Sequence, residues 1–198
     1  AIGYGNTITG GDNGGCFATG RNNSISVGSS LTGFVTGSLC SVTSSAGFVH
    51  GVYGSATRVN QYAHGGDFGF IAGVVGGSQY VRFVVGGKTT DATPTNLGLD
   101  GSTTRLTIPS GKILYADVLI SGIKSDGSAA ACYKRKVAIK NVGGTTSLVG
   151  SVETIGTDIE DNASTDVAIT ADNTNDALQI NVTGITSETW RWVAVVEG

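Results

Sequence analysis

The two histidines of the chain, His50 and His64, are the residues whose type and spacing first suggest chemistry. They lie 14 residues apart, and each directly precedes a glycine. If the chain repeats with that period, stacked strands would place one ring above the other, about 5 Å apart. A stacked pair of imidazoles could bind a metal ion or respond to pH. Because the sequence supplies no third ligand at a recognised spacing, we interpret the pair as a polar ladder and predict no metal site and no cofactor.

The sequence lacks the other arrangements that catalysis needs. A serine or cysteine nucleophile requires a base beside it, and only the two histidines are available. The acidic residues between positions 158 and 176 could offer oxygen ligands to calcium, but they lack the ordered spacing of a calcium loop, so we interpret them as solvated. The glycine-rich residues 73–77 lack the Gly-Lys-Ser/Thr ending of a phosphate-binding loop. We therefore predict no catalytic residue and expect that the protein is not an enzyme.

Aromatic side chains are the candidates for sugar binding, because a ring can cover the apolar face of a pyranose. Tyr115 lies in the alternating segment 112–124 and points away from its apolar face. Trp190 and Trp192 lie two residues apart and share one face of a strand, which is more typical of a core or subunit interface. Tyr133 begins the basic run of the chain. We take Tyr115, Tyr133 and Trp190 as candidate receptor-binding residues, of which Tyr115 is the best surface candidate.

The composition favours strands and turns. Of the 198 residues 32 are glycine, two are proline, and charged residues make up only 14%, so Ser, Thr, Asn and Gly must cover the surface. The fold class predicted is all-β. A net charge of −3 provides no basic surface for nucleic acid, and no apolar run is long enough to span a bilayer, so we predict no nucleic-acid partner and no membrane insertion. The chain begins at Ala1 and contains no methionine, which we interpret as a fragment or a processed product.

The three cysteines are an odd number without ligand-type spacing. We therefore interpret Cys16, Cys40 and Cys132 as small buried hydrophobic residues and not as a disulfide framework.

Residues 1–70 contain a short repeat. Its mark is an aromatic residue followed three positions later by glycine, at Phe17, Phe34, Phe48 and Tyr62. Five residues after three of these glycines stands another apolar residue: Ile25, Val42 and Ala56. Spacings of 17, 14 and 14 residues are too short for helical hairpins or propeller blades, and they fit one coil of a β-solenoid with two short strands. We assign the four aromatic residues to the repeat core, and predict that they stack about 5 Å apart with Phe48 well buried.

A solenoid this thin cannot bury its apolar flanks alone, since one coil offers roughly two to four inward apolar side chains. Three chains side by side would bury the remainder, which predicts a homotrimer. The repeats, with the following Asn-Asn-Ser-Ile-Ser-Val-Gly at residues 22–28, resemble the head repeats of trimeric autotransporter adhesins, which are also common in phage fibres. The resemblance covers about a third of the chain and implies a left-handed β-roll within a homotrimer.

After a predicted connector at residues 71–78, residues 79–198 form a predicted C-terminal domain of short strands separated by turn residues. The candidate strands are residues 79–85, 103–108, 112–124, 129–142, 147–154, 166–171, 177–183 and 189–197. Alternation along the third of these gives a core face of Leu114, Ala116, Val118, Ile120 and Gly122. Eight strands in a domain of this length fit an antiparallel, jelly-roll-like β-sandwich.

Three stretches of this second part, residues 89–95, 139–150 and 177–184 with 190–194, resemble the C-terminal domains of phage tail fibres. The resemblance implies a structural protein of the virion tail, outside the cell, whose partners are other tail proteins. Together with the repeats it gives the expected function: the distal part of a trimeric tail fibre that mediates viral attachment to a host-surface glycan or other receptor. The alternative is a tailspike-like glycan depolymerase, in which paired carboxylates from distant loops would cleave the polysaccharide.

Overall fold

In the computed structural model the described residues are 1–9, 15–26, 32–66 and 74–198. All named elements among them are β-strands, which confirms the all-β class. The chain divides into two compact units, Ala1–Phe83 and Val84–Gly198. The predicted domain limits 1–70 and 79–198 stay a prediction, and residues 71–73 of the predicted connector lie outside the described residues. Within the described part of the chain, no helix is long and apolar enough to cross a membrane.

The first unit is a parallel β-solenoid of about four coils, in which each coil contributes one strand to each of two sheets. Its strands are β1 (Ile2–Tyr4), β2 (Thr7–Thr9), β3 (Phe17–Arg21), β4 (Ser24–Ser26), β5 (Gly33–Ser38), β6 (Ser41–Val42), β7 (Gly47–Val52), β8 (Ser55–Ala56), β9 (Tyr62–Gly66) and the beginning of β10 (Gln79–Thr89). Strands β1, β3, β5, β7 and β9 form one parallel sheet, and β2, β4, β6 and β8 form the other. Strand β10 then reverses direction and pairs antiparallel with β9. The predicted solenoid is therefore present.

Small aliphatic side chains fill the interior of the solenoid. Those fully buried there are Ala18, Val35, Val49 and Ala63 from the odd-numbered strands and Ile25, Val42 and Ala56 from the even-numbered ones. The second column consists of the apolar residues that follow the repeat glycine by five positions. Successive residues of a strand point to opposite faces, so the aromatic residue preceding each member of the first column must point outward.

The assignment of the four aromatic residues to the repeat core is accordingly wrong. Phe17 is 40% exposed and Phe48 is 36% exposed, while Phe34 and Tyr62 are half-buried. Each of these rings is followed by an Ala or Val, and it is this smaller neighbour that faces the interior. When two neighbouring residues of a strand are both apolar, hydrophobicity alone does not show which of them faces the interior. A shift of the strand by one residue would exchange their faces.

A column of glycines lets successive coils approach each other. Gly20, Gly37 and Gly51 have φ angles of 110°, 126° and 98°, in the region that favours glycine. A Cβ atom on Gly37 would lie 2.0 Å from the carbonyl oxygen of Gly51 in the next coil, and one on Gly20 would lie equally close to the carbonyl oxygen of Gly37. Each repeat glycine is thus required both by its own backbone conformation and by the neighbouring backbone, as the repeat predicts.

Amide side chains connect the coils beside this column. Asn23 is 1% exposed, and its Nδ2 donates to the carbonyl oxygens of Thr19 (2.8 Å) and of Gly37 in the next coil (2.9 Å). Its Oδ1 accepts a hydrogen bond from the backbone N–H of Cys40 (3.0 Å). Asn6 occupies the equivalent place one coil earlier, where its Oδ1 accepts from the Asn23 N–H (3.0 Å). The buried Asn23 amide thus has both its donor and its acceptor atoms paired, as buried polar groups require, and the half-buried Asn6 repeats the arrangement.

Cys40 takes the place of the asparagine in the next coil, and its thiol donates to the carbonyl oxygen of Gly51 (3.3 Å). Burial raises the pKa of this thiol, which keeps it protonated and able to donate. Cys40 is buried as predicted, but Cys16 is half-buried and Cys132 is exposed, so the prediction that all three cysteines are buried is wrong. All three are free thiols.

The second unit contains two antiparallel sheets. Besides the remainder of β10, its strands are β11 (Thr95–Asn96), β12 (Leu106–Thr107), β13 (Lys112–Lys124), β14 (Ala130–Val142), β15 (Thr145–Leu148), β16 (Glu153–Thr154), β17 (Ile159–Glu160), β18 (Asp166–Asp172), β19 (Ala177–Thr183) and β20 (Trp190–Glu197). The larger sheet has the order β10-β20-β13-β14, with β15, β16 and β17 all paired to β14. In the smaller sheet β19 pairs with β11, β12 and β18.

Strand β13 has the predicted limits and the predicted core face, whose five members are all buried. Strand β19 also begins and ends where the sequence predicts. The predicted strand 147–154 is instead divided into β15 and β16, because Gly150 lies between them with a φ angle of 76°. The jelly-roll-like packing of the two sheets as a sandwich stays a prediction.

We expect Gly37→Ala to destabilise the first unit by more than about 2 kcal/mol, since the new methyl group would add a steric clash to an unfavourable backbone conformation. Gly66→Ala is the matched control, because a Cβ atom at Gly66 would meet no atom within 4 Å. This control should change the free energy of unfolding by less than about 0.5 kcal/mol. Urea denaturation of both variants checks the prediction, and equal stabilities would contradict the role of the glycine column.

Candidate functional site

The outward face of the odd-numbered strands carries four stacked rings, which we call the aromatic ladder: Phe17, Phe34, Phe48 and Tyr62. Successive ring centroids are 5.2, 4.7 and 5.2 Å apart, and successive planes are inclined by 17°, 3° and 10°. The predicted stacking at about 5 Å is therefore confirmed, although the rings lie outside the core. A contiguous exposed strip of this kind is typical of a surface that binds another molecule.

The two histidines lie in the column next to the aromatic ladder. Thr19, Thr36, His50 and His64 occupy equivalent positions of successive coils. The imidazole centroids are 4.1 Å apart, which confirms the predicted stacking. The Nε2 atom of His50 also makes a hydrogen bond with the hydroxyl group of Tyr62. Burial, followed by the nearby charge of His64, lowers the pKa of His50, so its ring is neutral at pH 7.

In the second unit a tyrosine stands among charged side chains on the outward face of β13 and β14. We call Tyr115, Asp117, Lys134 and Lys136 the Tyr115 face. Tyr115 is 60% exposed, and the Lys136 Nζ lies 5.6 Å from its ring centroid. Asp117 forms ion pairs with Lys134 (3.5 Å) and Lys136 (3.7 Å), which orient the two amines beside the ring. An exposed ring with charged groups close to it suits a sugar, whose apolar face can stack on the ring while its hydroxyls form hydrogen bonds.

The sequence predicted the exposure of Tyr115 but did not identify its neighbours. Antiparallel pairing places Tyr115 opposite Ala138 and Asp117 opposite Lys136. The signal was present in the short turn between the two strands, because a turn of fixed length sets the register of the hairpin that it closes.

Tyr133 is 4% exposed, so its assignment as a receptor-binding residue is corrected. Its hydroxyl donates to the Glu160 carboxylate (2.7 Å) and lies 2.8 Å from the Thr165 hydroxyl. Burial raises the pKa of this phenol, which therefore stays protonated. Alternation along β14 turns Tyr133 inward together with Arg135, and its polar end attaches the loop after β17 to the sheet.

Trp190 is fully buried, so its receptor-binding assignment is also corrected, in favour of the core alternative. Its ring stacks on Trp192 with centroids 5.6 Å apart, and its Nε1 donates to Glu188 (2.9 Å). The Nε1 of Trp192 donates to Thr89 (3.0 Å). The ring of Trp192 covers Gly122, where a Cβ atom would lie 2.2 Å from it. Both indoles thus bury their rings and satisfy their N–H groups, which explains their place in the core.

The acidic residues between positions 158 and 176, expected to be solvated, include several that attach the chain to β14. Arg135, which is 7% exposed, binds both carboxylate oxygens of Asp158 at 2.6 and 2.8 Å. Asp161 accepts a hydrogen bond from the backbone N–H of Ala130 (2.8 Å). In the part of the chain that the structure describes, no group of three or more His, Cys, Asp or Glu side chains is placed to hold a metal ion.

No protein-family model matches the sequence, and a comparison with curated proteins gives no significant match. Among solved structures, the fold is similar to that of the tailspike protein of Acinetobacter baumannii phage AM24, with 11% identity and a TM-score of 0.35 over 89% of this chain and 49% of that one. It is also similar to tailspike protein gp49 of A. baumannii bacteriophage Fri1, with 8% identity and a TM-score of 0.35 over 98% of this chain and 44% of that one. The tailspike protein of Acinetobacter phage vB_ApiP_P1 is 12% identical, with a TM-score of 0.29 over 92% of this chain and 44% of that one.

The chain spans slightly less than half the length of these tailspikes. The Fri1 protein is described as a capsular polysaccharide depolymerase. The prediction that the present protein is not an enzyme is at odds with this description, and it is not proposed again.

We expect the ion pair of Asp158 to contribute to stability at neutral pH. The hydrogen bonds from Arg135 lower the pKa of Asp158 below its ordinary value of 3.8. A carboxyl group whose pKa is lower in the folded than in the unfolded protein stabilises the fold at pH values above its unfolded-state pKa. This stabilisation is lost as the pH falls through the folded-state pKa. Asp158→Asn should therefore cost about 1 kcal/mol at pH 7, after allowance for solvent screening, and make stability less dependent on pH below 3.8.

Urea denaturation at pH 7 and at about pH 3 measures both effects. Glu153→Gln, a change at an exposed carboxylate on the same edge of β14, is the control and should leave both values unchanged. A pH dependence of Asp158→Asn identical to that of the wild type would contradict the assignment.

Proposed function

We propose that this chain is the distal part of a trimeric phage tail fibre, located in the virion tail outside the cell, which attaches to a host-surface glycan. In this proposal the solenoid is a left-handed β-roll that forms the shaft, and the second unit, as a jelly-roll-like sandwich, forms the tip. The observation that carries the proposal is the aromatic ladder, which a single chain leaves exposed on the flank of its solenoid.

The ladder supports a trimer for a geometric reason. Its rings are in register along a straight column, so an identical column on a second chain, rotated about a parallel axis, presents a complementary strip at every level. The two interior columns of the solenoid cannot supply the missing burial, because the fully buried residues described in them are small aliphatic ones. Each aromatic side chain can bury roughly 150–250 Å², so covering the exposed parts of these rings on three chains would contribute substantially to the stability of the assembly.

The Tyr115 face supports glycan attachment in the second unit. Its ring is free to stack on a pyranose, since 60% of the side chain is exposed while the neighbouring ion pairs hold the charged groups beside it. Asp117 can accept hydrogen bonds from sugar hydroxyls, and the amines of Lys134 and Lys136 can donate to hydroxyl or carboxylate oxygens. Receptor binding at Tyr115 is therefore retained as part of the proposal.

We expect sedimentation equilibrium of the native protein to give three times the chain mass of 20.0 kDa. The double change Phe34→Thr with Phe48→Thr keeps residues that favour strands but removes two central rings, and it should shift the protein toward monomers at micromolar concentration. Tyr115→Ala is the control and should remain trimeric. A wild-type protein that is folded by circular dichroism and monomeric at this concentration would refute the trimer.

We expect binding to one member of a panel of bacterial surface polysaccharides, measured by calorimetry. Tyr115→Ala should weaken that binding about tenfold or more, because the stacking surface is lost, whereas Tyr115→Phe should retain most of it. Neither change should move the thermal midpoint, because the side chain is exposed. Unchanged affinity of Tyr115→Ala would remove this face from the proposal. Measuring new reducing ends in the same incubations shows whether attachment is accompanied by cleavage of the glycan.

A further inference from the structure

The outward face of the odd-numbered sheet changes character where the chain reverses. Tyr80 and Arg82 of β10 point outward, because Val81 between them is buried. Antiparallel pairing places Arg82 opposite Tyr62, the last ring of the aromatic ladder. It places Tyr80 opposite His64, in the neighbouring column. Tyr80, Arg82 and His64 are all exposed, so three different polar or aromatic side chains meet on the surface beyond the end of the ladder.

Tyr80 offers the face of an aromatic ring, which the ladder does not. The inner rings of the ladder have neighbours on both faces and leave only their edges to solvent. The ring of Tyr80 lies 6.5 Å from that of Tyr62 and is inclined to it by 76°. It therefore does not continue the stack, and 44% of its surface is open to solvent. An accessible aromatic face suits the apolar face of a pyranose.

Arg82 supplies a positive charge beside that ring. The two residues are two positions apart on one face of a strand, so their Cα atoms lie about 7 Å from each other. The guanidinium group carries five N–H donors in a plane that matches a carboxylate. Residues 1–9, 15–26, 32–66 and 74–83 include no aspartate or glutamate, so none of these residues can neutralise Arg82. The strip of rings covered in the proposed trimer should end before this level, because burying an unpaired charge is costly.

We propose that Tyr80, Arg82 and His64 bind a pyranose that carries a carboxylate, such as a hexuronic acid unit of a surface polysaccharide. The sugar ring stacks on Tyr80 and its carboxylate pairs with Arg82. Because the Nδ1 of His64 already contacts the ring of His50, its Nε2 is the atom that a sugar hydroxyl would meet. The inference rests on the proposed attachment to a glycan, and it adds a second contact surface and an acidic sugar as the class of ligand.

The distribution of charge along the chain favours an acidic ligand at the first unit. Residues 1–83 contain three arginines and two aspartates, whereas residues 84–198 have a net charge of −4. An acidic polysaccharide is therefore repelled by the second unit as a whole and less so by the first. The Tyr115 face, where each lysine lies near a carboxylate, lacks this preference for an anion.

The test uses the full chain and three soluble polysaccharides of similar length: polyglucuronic acid, neutral dextran and dextran sulfate. Titration calorimetry at physiological ionic strength should show polyglucuronic acid binding about tenfold more tightly than either of the others. Arg82→Gln and Tyr80→Ala should each weaken this binding about tenfold, whereas Tyr80→Phe should retain most of it. The thermal midpoint should stay unchanged in all three variants, because both side chains are exposed.

Arg21→Gln is the matched control. It removes an exposed arginine of the same unit from β3, four strands away from β10 in the sheet and thus about 19 Å distant. Its affinity for polyglucuronic acid should equal that of the wild type. A loss of affinity as large as that of Arg82→Gln would show a general effect of charge and overturn the site.

Tyr115→Ala in the same titration separates this site from the proposed one. Weaker binding of polyglucuronic acid by Tyr115→Ala alone would leave attachment at the Tyr115 face and remove the site at Tyr80. Weaker binding by the Arg82 and Tyr80 variants supports the site whatever Tyr115→Ala does. Equal affinity of the wild type and Arg82→Gln, or no binding of polyglucuronic acid by the wild type, would overturn it. Dextran sulfate bound as tightly as polyglucuronic acid would overturn the class of ligand.

Discussion

The close approach of one glycine to the next is the constraint on which the first unit depends. The carbonyl oxygen of Gly51 occupies the space in which a Cβ atom of Gly37 would lie, and the same relation links Gly37 to Gly20. Only at this distance can the Asn23 amide donate to carbonyl oxygens of two coils at once. The same registration stacks the aromatic rings and brings the two imidazoles together. This backbone contact thus sets the distance between equivalent side chains of successive coils in every column on the surface of the solenoid.

Stability in such a unit must come from several small sources. Its interior columns consist of small aliphatic side chains such as Ala18 and Val35, so apolar burial per coil is limited. Backbone pairing between coils and the satisfied amide ladder add directional interactions along the axis. The second unit follows another principle, because it buries large side chains such as Trp190, Trp192 and Ile139. The first unit is therefore stabilised by many small repeated interactions, and the second unit by the burial of large side chains.

The sequence predicted the features that follow from its repeats and from the alternation of apolar residues. It failed where the orientation or burial of a side chain depends on residues far away in the sequence. The repeat placed Phe48 and Phe34 in one column, but it could not decide that Val49 and not Phe48 faces inward, because both neighbours are apolar. Alternation in β13 predicted the exposure of Tyr115. In β14 charged and aromatic residues mix on the inward face, and the burial of Arg135 depends on Asp158, 23 residues away. Neither composition nor local period carries information about such a pair.

The reversal at β10 has a consequence for assembly. A stack of parallel strands ends in an edge whose hydrogen-bonding groups match the next identical coil, and that coil can come from another molecule as easily as from the same one. Strand β10 covers this edge of β9 with a strand of the opposite direction. Antiparallel pairing uses a different hydrogen-bond pattern, so the parallel register ends there. The odd-numbered sheet of the solenoid therefore stops repeating at β9 through one change of chain direction, which protects this edge against pairing with a coil of another molecule.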